Sequence, residues 1–406
     1  MSTSVRTISA GEIEEWLNSL GRSFFMHTAE GKPSYYLGLA DLSRTRAALD
    51  GDRIVATMRS FPTSLTVPGP SEVDVSALTA VSVAASHRRR GLLRQMMRGE
   101  LDDAKARGEV ASILLASEYP IYGRYGYGAA TRSATYEIDT EGLGFLRETV
   151  GTFEIVELAE LRAIAPTIYD RFRSSQPGAI GRDEGWWDRA TRRVEVPGAQ
   201  PDKGFQCVYR GPGGEPEGYA SYVGAIDWSH LPLTGDLQLN ELVSTTPDAY
   251  QALWAFAVDM DLQSKVVAHQ RPCDEVLPLL VEDARKIKQV ACHDFLWVRL
   301  LDVAAALGAR RYATGGAVVI EVRDQLGLAS GTFALDGGPD GASCVPSTAT
   351  ADLSVTVGAL SAAYLGGEGF ARLAAAGLAE ERRDGAVDLA HRMFTTARAP
   401  WCTTFF

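Results

Sequence analysis

A chain of 406 residues, 46% hydrophobic and 22% charged, is too long for one ordinary core and has the composition of a globular protein of several domains. No apolar run approaches the roughly 18 residues that span a bilayer, and the start MSTSVRTISAGEIEEW has neither a basic segment nor an apolar stretch, so no membrane span is expected, nothing reads as a secretory signal and a cytoplasmic location is the default expectation. Lys and Arg number 40 against 51 Asp and Glu, a net charge of −11 whose field repels nucleic acid and favours cationic small molecules. In chain order, residues 53–67 alternate in hydropathy and end at Pro68-Gly69-Pro70, and 78–84 form another β-rich run, which predicts two strands joined by a turn. Residues 91–108 place Leu92, Leu93, Met96, Met97, Leu101 and Ala104 at helical spacing, with Arg94, Arg98, Asp102 and Lys105 mostly elsewhere, as an amphipathic helix requires. A short buried strand is expected at 111–117, a turn-rich stretch at Gly123, Gly126 and Gly128, and a further strand at 133–138.

Residues 151–294 repeat part of this pattern. A helix is expected near 157–173, strands at 205–209, 219–225 and 237–243, then a loop over 244–250 and an apolar helix over 253–262. The last strand, loop and helix follow the same order as 78–101 but lack the glycine and all the arginines. They read as a degenerate copy that has lost its ligand loop, with a convergent α/β unit as the alternative. After 295–300 the composition shifts to Ala and Gly, with strands at 317–322 and 353–357, a helix at 359–365 and a surface turn at 337–341. The expected domains are 1–150, 151–294 and 295–406. The five cysteines (Cys207, Cys273, Cys292, Cys344 and Cys402) are odd in number, far apart and without CxxC spacing, which argues against a disulfide framework or a metal site and predicts idle thiols.

The segment Val81-Ser82-Val83-Ala84-Ala85-Ser86-His87-Arg88-Arg89-Arg90-Gly91-Leu92-Leu93-Arg94 runs from a strand through a basic loop into a helix. The N–H groups of a first helical turn have no intrahelical partner and the helix dipole adds positive charge there, so the arrangement suits phosphate. Gly91 permits close backbone approach and the arginines add charge at the rim. Neither GxxxxGKS/T nor GxGxxG with an acidic partner is present, which counts against nucleotide hydrolysis and dinucleotide binding.

The pattern Val-x-Val-x-x-x-x-Arg-Arg-x-Gly-Leu-Leu resembles the acetyl-CoA motif of the GNAT N-acetyltransferases, Q/R-x-x-G-x-G/A, with Arg88 first and Gly91 as its first glycine; Leu93 stands where the second glycine would be. That departure, together with the run from Ala116 to Gly128 (ASEYPIYGRYGYG), is similar to the Eis (enhanced intracellular survival) family. The resemblance implies an α+β or α/β chain of two GNAT folds in tandem, the second degenerate, followed by a small sterol-carrier-protein-like α/β domain that ends in the active site. It further implies an acetyl-CoA-dependent N-acetyltransferase acting on primary amines of aminoglycosides, polyamines or lysine side chains, small molecule or peptide. A homo-hexamer is implied as well, and no nucleic-acid or membrane partner is expected.

From the same resemblance, Val81, Ser82, Val83, Arg88, Arg89, Arg90, Gly91, Leu92, Leu93 and Ser117 are candidates for holding the cofactor. Strand 81–83 is expected to splay from 113–116, with the Val83 N–H facing the thioester carbonyl. Tyr122, in a Tyr-x-x-x-Gly-aromatic element, is the candidate general acid, with Tyr125 and Tyr127 as the structural tyrosines. The carboxylate of Phe406 is the candidate base or orienting charge, although an α-carboxyl titrating near roughly 3.3–3.7 is a poor base unless desolvated. Phe24, His27, Tyr36, Glu118 and Phe405 are candidates for the acceptor pocket. The stretch from Arg182 to Asp188, with Asp183, Glu184 and two tryptophans, reads either as a helix start or as an amine pocket. A non-catalytic acyl-CoA or lipid-binding sensor is the alternative function.

Overall fold

The computed structural model describes residues 3–26, 41–69, 71–194, 204–229, 231 and 233–406. The alternating run becomes the long strand Arg53–Val67, paired antiparallel with Ser71–Val83 through the turn at Pro68 and Gly69. The sheet they anchor runs in the order Thr3–Thr7, Thr45–Asp50, Arg53–Val67, Ser71–Val83, Ala111–Leu115, Leu296–Leu300, Gly128–Ala129. Only Ser71–Val83 and Ala111–Leu115 pair in parallel, and the amphipathic helix Leu92–Ala106 makes the crossover between them. Its buried side chains Leu92, Met96, Met97 and Leu101 pack against Ala56, Met58, Leu78 and Leu114 of the sheet. The exposed face carries an Arg98–Asp102 pair at 2.7 Å. Glu100 turns inward: it accepts hydrogen bonds from Ser60 Oγ (2.6 Å), Ser76 Oγ (3.0 Å) and Arg107 Nη2 (2.8 Å).

The second sheet runs Ile287–Asp294, Arg132–Asp139, Gln263–Arg271, Thr234–Ser244, Pro216–Asp227, Phe205–Arg210, Thr152–Val156. It repeats the parallel unit with Thr234–Ser244, helix Pro247–Val258 and Gln263–Arg271. The helix expected over 253–262 therefore starts six residues earlier, because Pro247 opens it and Thr246 Oγ1 accepts from Ala249 N–H (3.1 Å). A third, five-stranded sheet contains Gly316–Arg323, Leu353–Thr356, Ala379–Glu381 and the hairpin Gly331–Gly338 with Gly341–Pro346, whose connection is the surface turn expected at 337–341.

Compactness divides the chain into two units: Met1–Ala130 with Leu296–Thr396 and Phe405–Phe406, and Thr131–Phe295 with Ala397–Thr404. Two strands thus fall outside the domains that the sequence places them in. Arg132–Asp139, expected within the first domain, lies inside the second sheet between Ile287–Asp294 and Gln263–Arg271. Leu296–Leu300, expected to open the third domain, is an interior strand of the first sheet. Among the described residues no helix is long and apolar enough to cross a membrane.

Candidate active site

Pairing between Ser71–Val83 and Ala111–Leu115 ends at Leu78 and Leu114, and beyond that point the two strands part. The cause is in the neighbouring ladder. Thr57 pairs with Ser82 and Arg59 with Thr79, so Ala80 and Val81 together face Met58: one extra residue, a β-bulge. Ala80 sits at φ +54, a left-handed conformation that costs an L-residue roughly 1–2 kcal/mol. The bulge is pinned by Thr57 Oγ1, which donates to the Ala80 carbonyl (2.9 Å) and lies 2.8 Å from Ser82 Oγ. After the bulge, Ala84 N–H donates to Val55 O (2.8 Å), so strand alternation turns the Val83 N–H the other way, to the edge where pairing has ended.

The opening is a cleft of about 620 Å³. Val81, Ser82 and Val83 form one wall, Arg88, Arg89, Gly91, Leu92, Leu93 and Arg94 the end at the helix start, and Ser117, Glu118, Tyr122, Arg124 and Tyr125 the other wall, with Phe24 at the rim. Gly91, at φ +78, caps helix Leu92–Ala106 without a side-chain hydrogen bond, and a Cβ on it would meet nothing within 4 Å. The first intrahelical bond runs from Gln95 N–H to Gly91 O (3.1 Å), so the N–H groups of Leu92, Leu93 and Arg94 face the cleft's end without helical partners. Among the described residues, four arginines and a single carboxylate line this cleft in an acidic protein. His87 also lines it, with Nε2 held 3.1 Å from Asp50 Oδ2.

Most of the candidate cofactor residues therefore converge. Arg90 is not among the lining residues; its guanidinium donates to Ser86 O (3.0 Å). His27 and Tyr36 lie outside the described residues. Phe405 is exposed, and Phe406 rests its ring edge-on against Phe61, centroids 5.6 Å apart, on the strand next to Ser71–Val83; neither lines the cleft.

The tyrosines separate by environment. Tyr122 ends the short helix Tyr119–Tyr122 and is 4% exposed. Burial pushes its hydroxyl above the ordinary value of 10, and the Ser117 hydroxyl bonded to it pulls it partly back, so it is protonated at neutral pH. Tyr127 is buried behind it with its hydroxyl 2.6 Å from Ser112 Oγ, away from the cleft. Tyr125 lines the cleft, half-buried, and burial raises its hydroxyl also.

The loop carrying these rings is braced by residues that the local sequence does not single out. Arg299, fully buried on Leu296–Leu300, donates from Nε to Tyr125 O (3.1 Å) and from Nη2 to Asp324 Oδ2 (2.5 Å). Gly126 is left-handed at φ +85, and a Cβ there would stand 2.7 Å from Val357 Cγ1. A Cβ at Gly128 would come 2.1 Å from Gly358 O, so helix Val357–Ala363 abuts the backbone here.

The stretch from Arg182 to Asp188 is a helix start: Asp183 accepts from Trp186 N–H (2.5 Å) at the cap of Glu184–Ala190. Its aromatic cage is filled by the chain's own Arg182, whose guanidinium lies 3.8 Å from both the Tyr169 and Trp186 ring centroids and pairs with Glu241 at 2.6 Å. The same guanidinium holds Thr404 Oγ1 (3.0 Å) and Thr403 Oγ1 (3.1 Å) of the closing segment.

A parallel strand–helix–strand unit that opens at a bulge and leads into an uncapped, arginine-rich helix start is the arrangement that the sequence leads one to expect of an acetyltransferase. Models of the acetyltransferase (GNAT) domain match residues 4–130 and again 178–300, and a model of the sterol carrier protein domain matches 303–403. An uncharacterised N-acetyltransferase of Streptomyces avermitilis is 39% identical, over 99% of this chain and 98% of its own. N-acetyltransferase Eis of Mycobacterium bovis is 34% identical over 80% of this chain and 79% of its own. The crystal structure of Eis1 from Mycobacterium abscessus superimposes with a TM-score of 0.88 and 32% identity over the full length of both chains. The chain belongs to the Eis family of GNAT N-acetyltransferases, and it is an enzyme of that class.

Proposed function

We propose that the cleft between 81–94 and 117–125 binds acetyl-CoA and that the protein transfers the acetyl group directly to a primary amine of an aminoglycoside, a polyamine or a lysine side chain. The observation that carries this reading is the parting of strands beyond Leu78 and Leu114, with an unpaired strand edge on one side and Tyr122 on the other. Acetyl-CoA supplies an acetyl group activated as a thioester. The N–H groups of Leu92, Leu93 and Arg94, with Arg88 and Arg89, suit its phosphates. The Val83 N–H is placed to stabilise negative charge on the thioester oxygen. Tyr122 keeps its proton through binding and gives it to the departing sulfur as the amine nitrogen bonds to carbon.

The Phe406 carboxylate is the base, or the charge that orients the amine; the docking of its ring on Phe61 beside the Ser71–Val83 strand supports this role. Phe24 and Glu118, with His27 and Tyr36, belong to the acceptor side, and Phe405 flanks it. A homo-hexamer and a cytoplasmic location complete the reading.

The test is thiol release from acetyl-CoA against aminoglycosides, polyamines and lysine peptides. Tyr122→Phe is expected to lower kcat by roughly 10²–10⁴ with little change in KM for acetyl-CoA, and a one-residue C-terminal extension to lower kcat as well. Tight CoA binding with no turnover on any amine would replace this reading with that of a non-catalytic acyl-CoA sensor.

A further inference from the structure

Three of the five cysteines, Cys207, Cys344 and Cys402, are buried, but the other two meet. Cys273 follows the end of strand Gln263–Arg271, and Cys292 lies near the end of strand Ile287–Asp294. These strands flank Arg132–Asp139 on opposite edges, and both Arg271 and Cys292 stand opposite Ala134. The chain beyond Arg271 therefore crosses toward Cys292, and the two Sγ atoms lie 2.9 Å apart. That is closer than the roughly 3.5–4.0 Å at which non-bonded carbons settle, and sulfur is larger than carbon. A thiol is a weak donor and a weak acceptor, so a hydrogen bond between the two gives little reason for such an approach.

The turn is fixed by other means as well. The Tyr136 hydroxyl lies 3.2 Å from Pro272 O and 3.3 Å from Cys273 O, Arg271 pairs with Glu275 at 2.8 Å, and Asp274 Oδ2 accepts from Ala399 N–H at 2.9 Å. Cys273 is thereby held against Cys292 by contacts that do not involve either sulfur.

We propose that Cys273 and Cys292 are a modification site that closes to a reversible disulfide by exchange with a low-molecular-weight disulfide. Cys292 is exposed and Cys273 half-buried, so the oxidant enters at Cys292. Burial and the neighbouring sulfur push the Cys273 thiol up to about 12, which makes it the slower thiol to ionise. In the first step the Cys292 thiolate attacks one sulfur of the oxidant, forming a mixed disulfide and expelling one thiolate. In the second, Cys273 loses its proton to water and attacks Cys292 Sγ, expelling the other half. Two protein thiols are oxidised to one disulfide while the oxidant is reduced to two thiols. The bond ties the turn that seats Ala399 to the sheet's edge strand.

The full chain, reduced and then incubated with oxidised glutathione, is unfolded in denaturant at acid pH and alkylated, and its peptides are mapped by mass spectrometry. Two of the five thiols should escape alkylation, with Cys273 and Cys292 joined in a peptide pair lighter by two hydrogens and separated again by dithiothreitol. Cys273→Ser should stop at one glutathione on Cys292, and Cys292→Ser should take none at Cys273. The proposal is overturned if all five thiols are alkylated once the glutathione-treated chain is unfolded, if glutathione persists on Cys292 as strongly as in Cys273→Ser, or if the cross-link joins another pair.

Discussion

Glu12 shows how one side chain fastens a helix to a strand. It accepts from Arg6 Nη2 (2.6 Å) and Nη1 (2.9 Å) on Thr3–Thr7 and from Ser9 N–H (2.8 Å) ahead of helix Ile13–Ser23. The Arg6 bond first, then the two from Ser9, lower its carboxyl from 4.5 to about 2. A depressed carboxyl contributes stability above its unfolded value, and that contribution is lost as pH falls toward the folded one. Glu12→Gln should therefore melt below the parent at neutral pH, with the gap narrowing as pH drops below 4.5 toward about 2, as followed by circular dichroism. Thr57 acts at the same scale behind the cleft wall, at the bulge. Thr57→Val removes the hydroxyl that pins the Ala80 carbonyl, and should lower kcat/KM for acetyl-CoA on the order of tenfold, the equivalent of one or two neutral hydrogen bonds. Neither residue could be picked out from the sequence. A threonine in an alternating strand is ordinary, and the bulge it supports arises only when two strands come into register. That Arg88, Arg89 and Gly91 line one cleft was legible because they are gathered locally, in a basic loop between a strand and a helix.

At the scale of elements, the helix Leu92–Ala106 was legible from its spacing, but the role of Glu100 was not, since a glutamate in an amphipathic helix ordinarily faces water. Glu100 is 1% exposed and joins the helix to Ser60 and Ser76 on two strands. Removing one partner of a buried ion pair costs roughly 3–5 kcal/mol. Because Arg107 keeps Glu109 and Arg46 keeps Asp103, Glu100→Leu should cost about 3 kcal/mol, at the low end of that range, in denaturant unfolding. The degenerate unit makes the complementary point. Its strand, helix and parallel strand keep their geometry, while Thr246 and Pro247 fill the helix start that Gly91 leaves open. The missing glycine and arginines are plain in the sequence; the position of the helix was not legible, because the Ser244-Thr-Thr-Pro-Asp run reads equally as a loop or as a cap.

For the whole molecule, the three-part order was legible and the membership of two strands was not. Hydropathy marks 132–139 and 296–300 as strands but carries no record of which ladder takes them, and sequence neighbours are the default partners. A fragment of residues 1–150 lacks Leu296–Leu300, and with it the strand between Ala111–Leu115 and Gly128–Ala129 and the guanidinium that holds the Tyr125 carbonyl. Such a fragment should show no cooperative melting transition and no CoA binding by calorimetry; a soluble, cooperatively melting fragment would show that the strand is dispensable. The same exchange orders events during synthesis. When residue 130 leaves the ribosome, the strand that leads into the basic loop is already made, but its neighbour Ala111–Leu115 still presents an open edge, which waits through the whole of the second sheet for its partner. The candidate cleft thus gains the strand that closes its sheet only after the whole of the second sheet has been made.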